Sequence, residues 1–274
     1  MNPLTDVFFD LHRAGDPFVL YNAWDAASAA VFESVGVAAL GTTSAGTAWT
    51  LGYPDGERVD QDELFAQIAR IVRSTRLPVS ADIEAGFGMS PEAAVRAVER
   101  TIAAGAVGAN LEDFDSQTGD VISTEAHVAR IRAVKARTEA LGLPFFLNAR
   151  TDILLHGLGP EETQVDRTIE RLRAYAAAGA DGVFAPGASE ADVIAKLVAA
   201  VDKPLNILGG ADTPSVPELA RLGVARVSIG GSPMRRTLEV LRDITIELHD
   251  RGTFDYAREP AIPYRELNAM FPHH

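Results

Sequence analysis

The chain has 274 residues, 47% of them hydrophobic and 23% charged, with a formal net charge of -13 and no cysteine. Such a composition supplies a sizeable core and argues against disorder, while the acidic balance argues against a nucleic-acid partner, which needs a basic face. Without cysteine there is neither a disulfide nor a thiolate site.

The opening segment, Met1-Asn2-Pro3-Leu4-Thr5-Asp6, has no basic start leading into an apolar stretch. No apolar run approaches the roughly 18 residues needed to span a bilayer. A soluble, cytoplasmic protein with no membrane partner is therefore expected. Eight short apolar runs read as strands: Phe18 to Asn22, Ala38 to Thr43, Pro78 to Glu84, Gly108 to Asp113, Phe145 to Thr151, Gly182 to Pro186, Pro204 to Leu208 and Arg226 to Gly230. Helix-period segments lie between them. Val59 to Thr75 places Leu64, Ile68 and Ile71 on one stripe, and Pro91 to Ala104 does the same with Ala94, Val95, Val98 and Ile102.

A recurring unit, in which a helix ends in glycine and small residues lead into a strand, appears at Val35-Gly36-Val37, Ala104-Gly105-Ala106, Ala178-Gly179-Ala180 and Leu222-Gly223-Val224. Such alternation implies right-handed parallel crossovers. The reading is an α/β fold, a (β/α)8 TIM-type barrel preferred over an open doubly wound sheet, with residues 1–274 forming a single domain. Past Ser232 come a long helix, Met234 to Arg251, and a Pro-bearing tail, Tyr256 to His274. Apolar tail residues Ile262, Tyr264, Leu267, Met270 and Phe271 are expected to pack on the same subunit or on a neighbour.

Parallel strands bring their C-terminal ends to one rim, where this chain gathers Asp82, Glu84, Glu112, Asp113, Arg150 and Asp152. Crowded carboxylates repel unless a cation sits among them, and oxygen-only ligands point to a hard cation, Mg2+ first and Mn2+ second. Asp82 and Glu84 are expected on one face of a buried strand as metal ligands, with Glu112 as a further ligand. Asp113, facing the other way, reads as a helix or loop anchor. Arg150 is read either as a structural partner of Glu112 or Asp152 or as the group that grips a substrate carboxylate, with Asp152 orienting it or opening the next loop. Thr42 to Gly46 supplies hydroxyls and backbone N–H groups that either cradle an anion or form a plain turn. Asp55, in Gly52-Tyr53-Pro54-Asp55-Gly56, reads as a turn residue. The glycines after the seventh and eighth strands, Gly209-Gly210 and Gly230-Gly231-Ser232, carry a weak phosphate signal. Lys135, Lys196 and Lys203 fall away from the rim, which disfavours a Schiff base. His156 reads as structural or solvent-facing.

Taken together, Asn22-Ala23-Trp24-Asp25-Ala26, Thr43-Ser44-Ala45-Gly46, Asp82-Ile83-Glu84-Ala85-Gly86-Phe87-Gly88, Leu111-Glu112-Asp113 and Asn148-Ala149-Arg150-Thr151-Asp152 resemble the isocitrate lyase and phosphoenolpyruvate mutase superfamily, on the side of the carboxyphosphonoenolpyruvate mutases and methylisocitrate lyases. The match runs from about residue 18 to 235. Members are (β/α)8 barrels that bind Mg2+ and act on C–C or P–C bonds next to a 2-oxo or 2-hydroxy acid. The resemblance implies Asp82 as principal metal ligand, with Glu84 and Glu112 beside it. It also implies Asp55 near metal and substrate, Thr43, Ser44 and Ala45 around a carboxylate or phosphonyl group, and Arg150 on the substrate carboxylate. Asp55, Arg150 and Glu112 become the catalytic candidates. It further implies that the last helix, from about residue 232, is exchanged between subunits of a homodimer or homotetramer.

The chain departs from these relatives in the loop after strand four. Where the lyases carry a catalytic Cys, and the mutases a Lys and an Asn, it has Phe114-Asp115-Ser116-Gln117-Thr118-Gly119-Asp120. The expected activity is a Mg2+-dependent lyase of a small 2-oxo or 2-hydroxy di- or tricarboxylate through an enolate. Oxaloacetate-type decarboxylation or C–C cleavage comes first. The alternatives are isocitrate-type cleavage with Tyr53, Asp55 or a loop residue replacing the thiol, P–C chemistry on a phosphonopyruvate-like compound, and a low-turnover 2-oxo acid binder.

Overall fold

The protein, a computed structural model describing residues 3–271, folds around eight parallel strands that close in chain order into a barrel. The strands are Phe18–Ala23, Leu40–Thr42, Val79–Asp82, Gly108–Glu112, Phe146–Arg150, Gly182–Phe184, Leu205–Leu208 and Arg226–Ser228. The eighth pairs back onto the first, with Phe18 opposite Arg226. All eight expected strands form, most of them shortened by one to three residues. The shortening matters most at the third. Asp82 ends that strand, and Glu84 lies beyond it with φ 51°, so the expectation that Asp82 and Glu84 share one strand face is corrected: the chain has already turned.

Helices wrap the outside, and their apolar stripes meet the outward residues of the strands. Ile68, Val98, Ile131, Val134, Leu172, Ile194 and Leu197 pack there against Leu147, Val183 and Ile207, all essentially without solvent contact. The two stripes read from sequence form the helices Gln61–Arg73 and Pro91–Ala103, each opened by a side-chain cap, Asp60 and Ser90. The helix Pro3–Asp10 was not anticipated. It plugs the bottom of the barrel, where Phe8 meets Phe146 edge-on at 5.5 Å and Phe18 at 6.1 Å.

The inside of the barrel is polar. Asn148 donates to Asn110 (2.8 Å), Asn206 donates to Ser228 (2.9 Å), the fully buried Arg226 donates to Asn110 (2.7 Å), and Asn22 accepts the Ile229 and Gly230 N–H groups. Barrel interiors usually hold branched apolar residues. Here a hydrogen-bonded layer supports the mouth from below instead.

After the last strand, the helix Ser232–Arg251 buries only Met234 and Glu247. Glu247 accepts from Thr253 (2.7 Å) and from the Tyr256 N–H (3.0 Å), which folds the chain back into a short 3-10 turn. Leu241, Ile246 and Phe254 remain exposed, at 57%, 51% and 67%. Of the tail residues, Met270 and Phe271 line a groove of about 580 Å3 with Ala30, Glu33 and Arg73 of the same chain, whereas Ile262 and Tyr264 face solvent. The last residues of the expected tail, Pro272 to His274, lie outside the described residues. Among the described residues no helix is long and apolar enough to cross a membrane.

Candidate active site

The ends of strands three, four and five set the floor of the mouth. Strand register places Asp82 beside Asn110 and Glu112 beside Arg150. Arg150 is the hub: its Nε and Nη2 donate to both oxygens of Asp152 at 2.6 and 2.7 Å, and its Nη1 lies 2.8 Å from Glu112 Oε2 and 3.9 Å from Asp82 Oδ1. A planar fork gripped on one edge by a buried carboxylate has one remaining edge to offer, and it points at the acids. Both structural partners considered for Arg150 are thus present at once.

Asp152 is itself held from below. Its N–H donates to Asp113 Oδ1 (3.1 Å), while Asp113 Oδ2 accepts from Arg171 (2.9 Å) and from the Tyr175 hydroxyl (2.6 Å). Asp113 is therefore the anchor expected, and Asp152 orients Arg150. His156 lies 3.6 Å from Asp152 Oδ2 and stacks at 4.0 Å on Phe114. Phe114 belongs to a small hairpin, Phe114–Asp115 with Asp120–Val121, within the loop after strand four.

The segment Thr43 to Gly46, read as an anion cradle or a plain turn, is the start of a helix. Thr43 caps the helix Ser44–Leu51, accepting the Gly46 N–H at 3.3 Å, and the Ser44 N–H points at Asp82 Oδ2 at 3.4 Å. Ser44 and Ala45 thus bring the positive end of a helix to the mouth. Asp82 is also tied by its own N–H to the Thr42 hydroxyl (2.8 Å). By contrast, Gly210 gives its N–H to Thr213 and Gly230 gives its N–H to Asn22, so neither glycine contributes to a phosphate cradle. Tyr53, one replacement considered for the missing thiol, turns outward to Glu63 (2.7 Å).

Electrostatics sharpen the picture. Burial, then Asp55 and Asp82, push Glu84 up to about 8. Burial also lifts Glu112 well above the carboxylate range, with Arg150 opposing and Asp152 and Asp82 adding to the rise. Asp55, on a loop over the mouth, is raised by loss of solvation and by Asp82. Burial disfavours the charge on Asp152 too, but Arg150 and then His156 outweigh it and hold that carboxyl low. The mouth carries more negative charge than Arg150 alone offsets.

Does a divalent cation suit these groups? Asp82 Oδ1 is buried and has no hydrogen-bond donor, with only the Arg150 guanidinium at 3.9 Å beside it, which leaves an acceptor that a closer cation would satisfy. Among the described residues no three His, Asp or Glu side chains converge into a ready cage; Glu112 is turned to Arg150, and Glu84 Oε2 accepts the Glu57 N–H at 2.6 Å. Mg2+ ordinarily keeps several waters and takes only one or two carboxylates. The residues fit that kind of holding, with Asp82 foremost.

Several supporting residues escaped the sequence reading. Fully buried Arg130 donates to the carbonyls of Ala85 and Glu112 and contacts His127. On a helix, an arginine reads as solvent-facing, and only its inward spacing with Ile131 and Val134 hinted otherwise. Glu57 was missed for the same reason that Asp55 looked bland: it sits among turn formers.

The class so defined is a closed (β/α)8 barrel whose C-terminal rim gathers carboxylates around one arginine. The chain belongs to the phosphoenolpyruvate phosphomutase family, whose model matches residues 8–249, within the isocitrate lyase and phosphoenolpyruvate mutase superfamily. It is 36% identical over 263 residues to an uncharacterized protein of Mycobacterium tuberculosis, covering 96% of this chain and 95% of that one. It is also similar to the 2-methylisocitrate lyase of Shewanella oneidensis (30%, 92% and 88% covered) and to an oxaloacetate decarboxylase of Bradyrhizobium (30%, 91% and 85%). Among solved structures, a Burkholderia cenocepacia protein described as a lyase/mutase superposes with TM-score 0.90 at 39% identity, covering 98% and 95%. Oxaloacetate acetylhydrolase bound to 3,3-difluorooxalacetate superposes with TM-score 0.83 at 28%, covering 97% and 92%.

Proposed function

We propose that this protein is a Mg2+-dependent lyase of a small 2-oxo dicarboxylate, with decarboxylation or C–C cleavage of an oxaloacetate-like acid as its reaction. The observation that carries this reading is the Asp82 carboxylate, buried with Oδ1 undonated and surrounded by raised acids at the end of a barrel strand. Relatives named for oxaloacetate chemistry support the substrate class.

Asp82, helped by Glu84 and Glu112, would hold the ion, which when bound supplies a Lewis acid where negative charge collects as the bond breaks. Arg150, fixed by Asp152, releases Glu112 and takes one substrate carboxylate on its free edge. The first N–H groups of the helix at Ser44 and Ala45, with the Thr43 cap behind them, favour the other carboxylate. Asp55, its carboxyl raised, holds the proton that returns to carbon once the enolate forms. Decarboxylation asks least of a chain without thiol or mouth lysine, because CO2 leaves unprotonated.

Cleavage of a 2-hydroxy acid is the second reading, in which Asp55 starts ionised and, its basicity raised by burial and Asp82, accepts the hydroxyl proton. P–C chemistry and a low-turnover 2-oxo acid binder rank below it. We further propose that the chain is one domain, and that the helix from Ser232 is exchanged between copies of a homodimer or homotetramer.

Pyruvate and CO2 release from oxaloacetate, above the uncatalysed rate and with Mg2+ or EDTA, tests the reading. Asp82→Ala should abolish the Mg2+-dependent release. Full activity in that variant would overturn the assigned site; stoichiometric binding without product would favour the binder.

A further inference from the structure

Three residues near the mouth hold left-handed backbone without being glycine: Glu57 at φ 57°, Glu84 at φ 51° and Phe87 at φ 58°. A side chain there is strained, and glycine would not be. Strain of this kind persists only where the surroundings over-determine it, and it gathers at functional sites. All three residues are joined. The Glu57 N–H donates to Glu84 Oε2 at 2.6 Å, and the Phe87 N–H donates to Glu57 Oε1 at 2.6 Å. Each glutamate thus uses its carboxylate on the backbone of the other's segment, a reciprocal clasp between the loop 52–60 and the turn 83–88.

The two sides of the clasp are unequal in rigidity. The turn is closed internally by the Gly86 N–H donating to Ile83 O (2.9 Å) and fixed from outside, where Glu84 O accepts the Glu112 N–H (3.0 Å) and buried Arg130 donates to Ala85 O. The loop is anchored mainly at its two ends, where the Tyr53 N–H donates to Ala48 O (2.9 Å) and Asp60 caps the following helix, with an Asp55–Ser44 hydrogen bond between them. It nevertheless carries Asp55, two residues before Glu57, up against Asp82. Glu57 therefore shares with Ser44, which hydrogen-bonds the Asp55 carboxyl, the task of placing Asp55. The clasp also commits Glu84 Oε2, so that only Oε1 of Glu84 is left to turn toward the mouth.

We propose that Glu57 is a positioning residue, the latch that sets Asp55 and Glu84 in register over the mouth. This rests on the reading of that mouth as the reactive site. The side chain is kept at a backbone position that suits glycine because its carboxylate does what glycine cannot.

Glu57→Gly is the informative variant, since it relaxes the backbone while deleting the acceptor for the Phe87 N–H. Glu57→Gln keeps an acceptor oxygen there. Two measurements decide. In metal-free protein, amide exchange at Phe87 should speed at least 10-fold in Glu57→Gly and stay within about 3-fold of wild type in Glu57→Gln. In Mg2+-loaded protein, kcat for oxaloacetate should fall roughly 10- to 100-fold in Glu57→Gly, as expected when a reacting group is misplaced by an ångström, with KM changing less and Glu57→Gln recovering most of the rate. Unchanged exchange at Phe87 in Glu57→Gly overturns the latch. Faster exchange with unaltered kcat overturns its positioning role and leaves a merely structural contact. If the wild type itself turns over no oxaloacetate, the functional reading fails and the positioning role falls with it, whereas the exchange result still decides the clasp.

Discussion

Replacing Asp113 by alanine removes the group on which the site's arginine ultimately stands. Asp113 has no solvent exposure, and its Oδ2 accepts from Arg171 at 2.9 Å and from the Tyr175 hydroxyl at 2.6 Å, while Oδ1 accepts the Asp152 N–H at 3.1 Å. All three bonds are lost, and the ~3–5 kcal/mol typical of breaking a buried ion pair from one side is close to the low end of three bonds to a charged group at about 1.5–3 kcal/mol each. An unfolding entropy of about 2.1 cal/mol/K per residue gives about 0.6 kcal/mol/K for the 274 residues. Asp113→Ala should therefore lower Tm by about 5–9 °C in a calorimetric scan. Because the Asp152 backbone loses its anchor, Arg150 should loosen as well, and KM for oxaloacetate should rise more than kcat falls. Asp113→Asn, which keeps one acceptor oxygen, should fall between. A Tm drop below about 2 °C, the effect of one ordinary hydrogen bond at ~1 kcal/mol, would refute the reasoning.

Two further outcomes follow from the same structure. Glu84 stands at about 8 in the fold against an ordinary 4.5, mainly through burial, so its folded pKa lies above its unfolded one. Its contribution is then complete below the unfolded pKa and is lost as pH rises toward 8. Urea melts in EDTA should show less stability at pH 8 than at pH 5, with Mg2+ narrowing the gap; the opposite order would refute the assignment. Leu241, 57% exposed on a helix that buries little else, should sit inside a subunit contact. Leu241→Glu should lower the mass seen by light scattering, and a monomeric wild type would contradict the exchange proposed for that helix.

The strand ends show why part of the site was legible and part was not. Asp82, Glu112 and Arg150 end buried apolar runs, and parallel strands must deliver such ends to one rim. Their gathering therefore followed from linear order. Glu84 was misplaced because two carboxylates at alternate positions suit a strand, and nothing local announces that the chain turns left-handed at that residue. Thr43 to Gly46 holds a cap residue followed by small residues, which reads equally as a loop or as a helix start. What resolves it is the helix Ser44–Leu51 docking beside Asp82.

By itself, the order of residues determined the barrel, the rim and the family, because alternating periodicities, glycine stops and strand-terminal acids are local or strictly sequential signals. Only tertiary structure decided that Arg150 is gripped by Asp152, that Asp113 is held by Arg171 and Tyr175, that Arg130 is an interior strut and that Glu57 and Glu84 clasp each other. Those pairings join residues as many as 62 positions apart, as Asp113 and Tyr175 are. A charge's partner is chosen by which segments the closed barrel brings within about 3 Å, the reach of a hydrogen bond, a distance that no local pattern encodes.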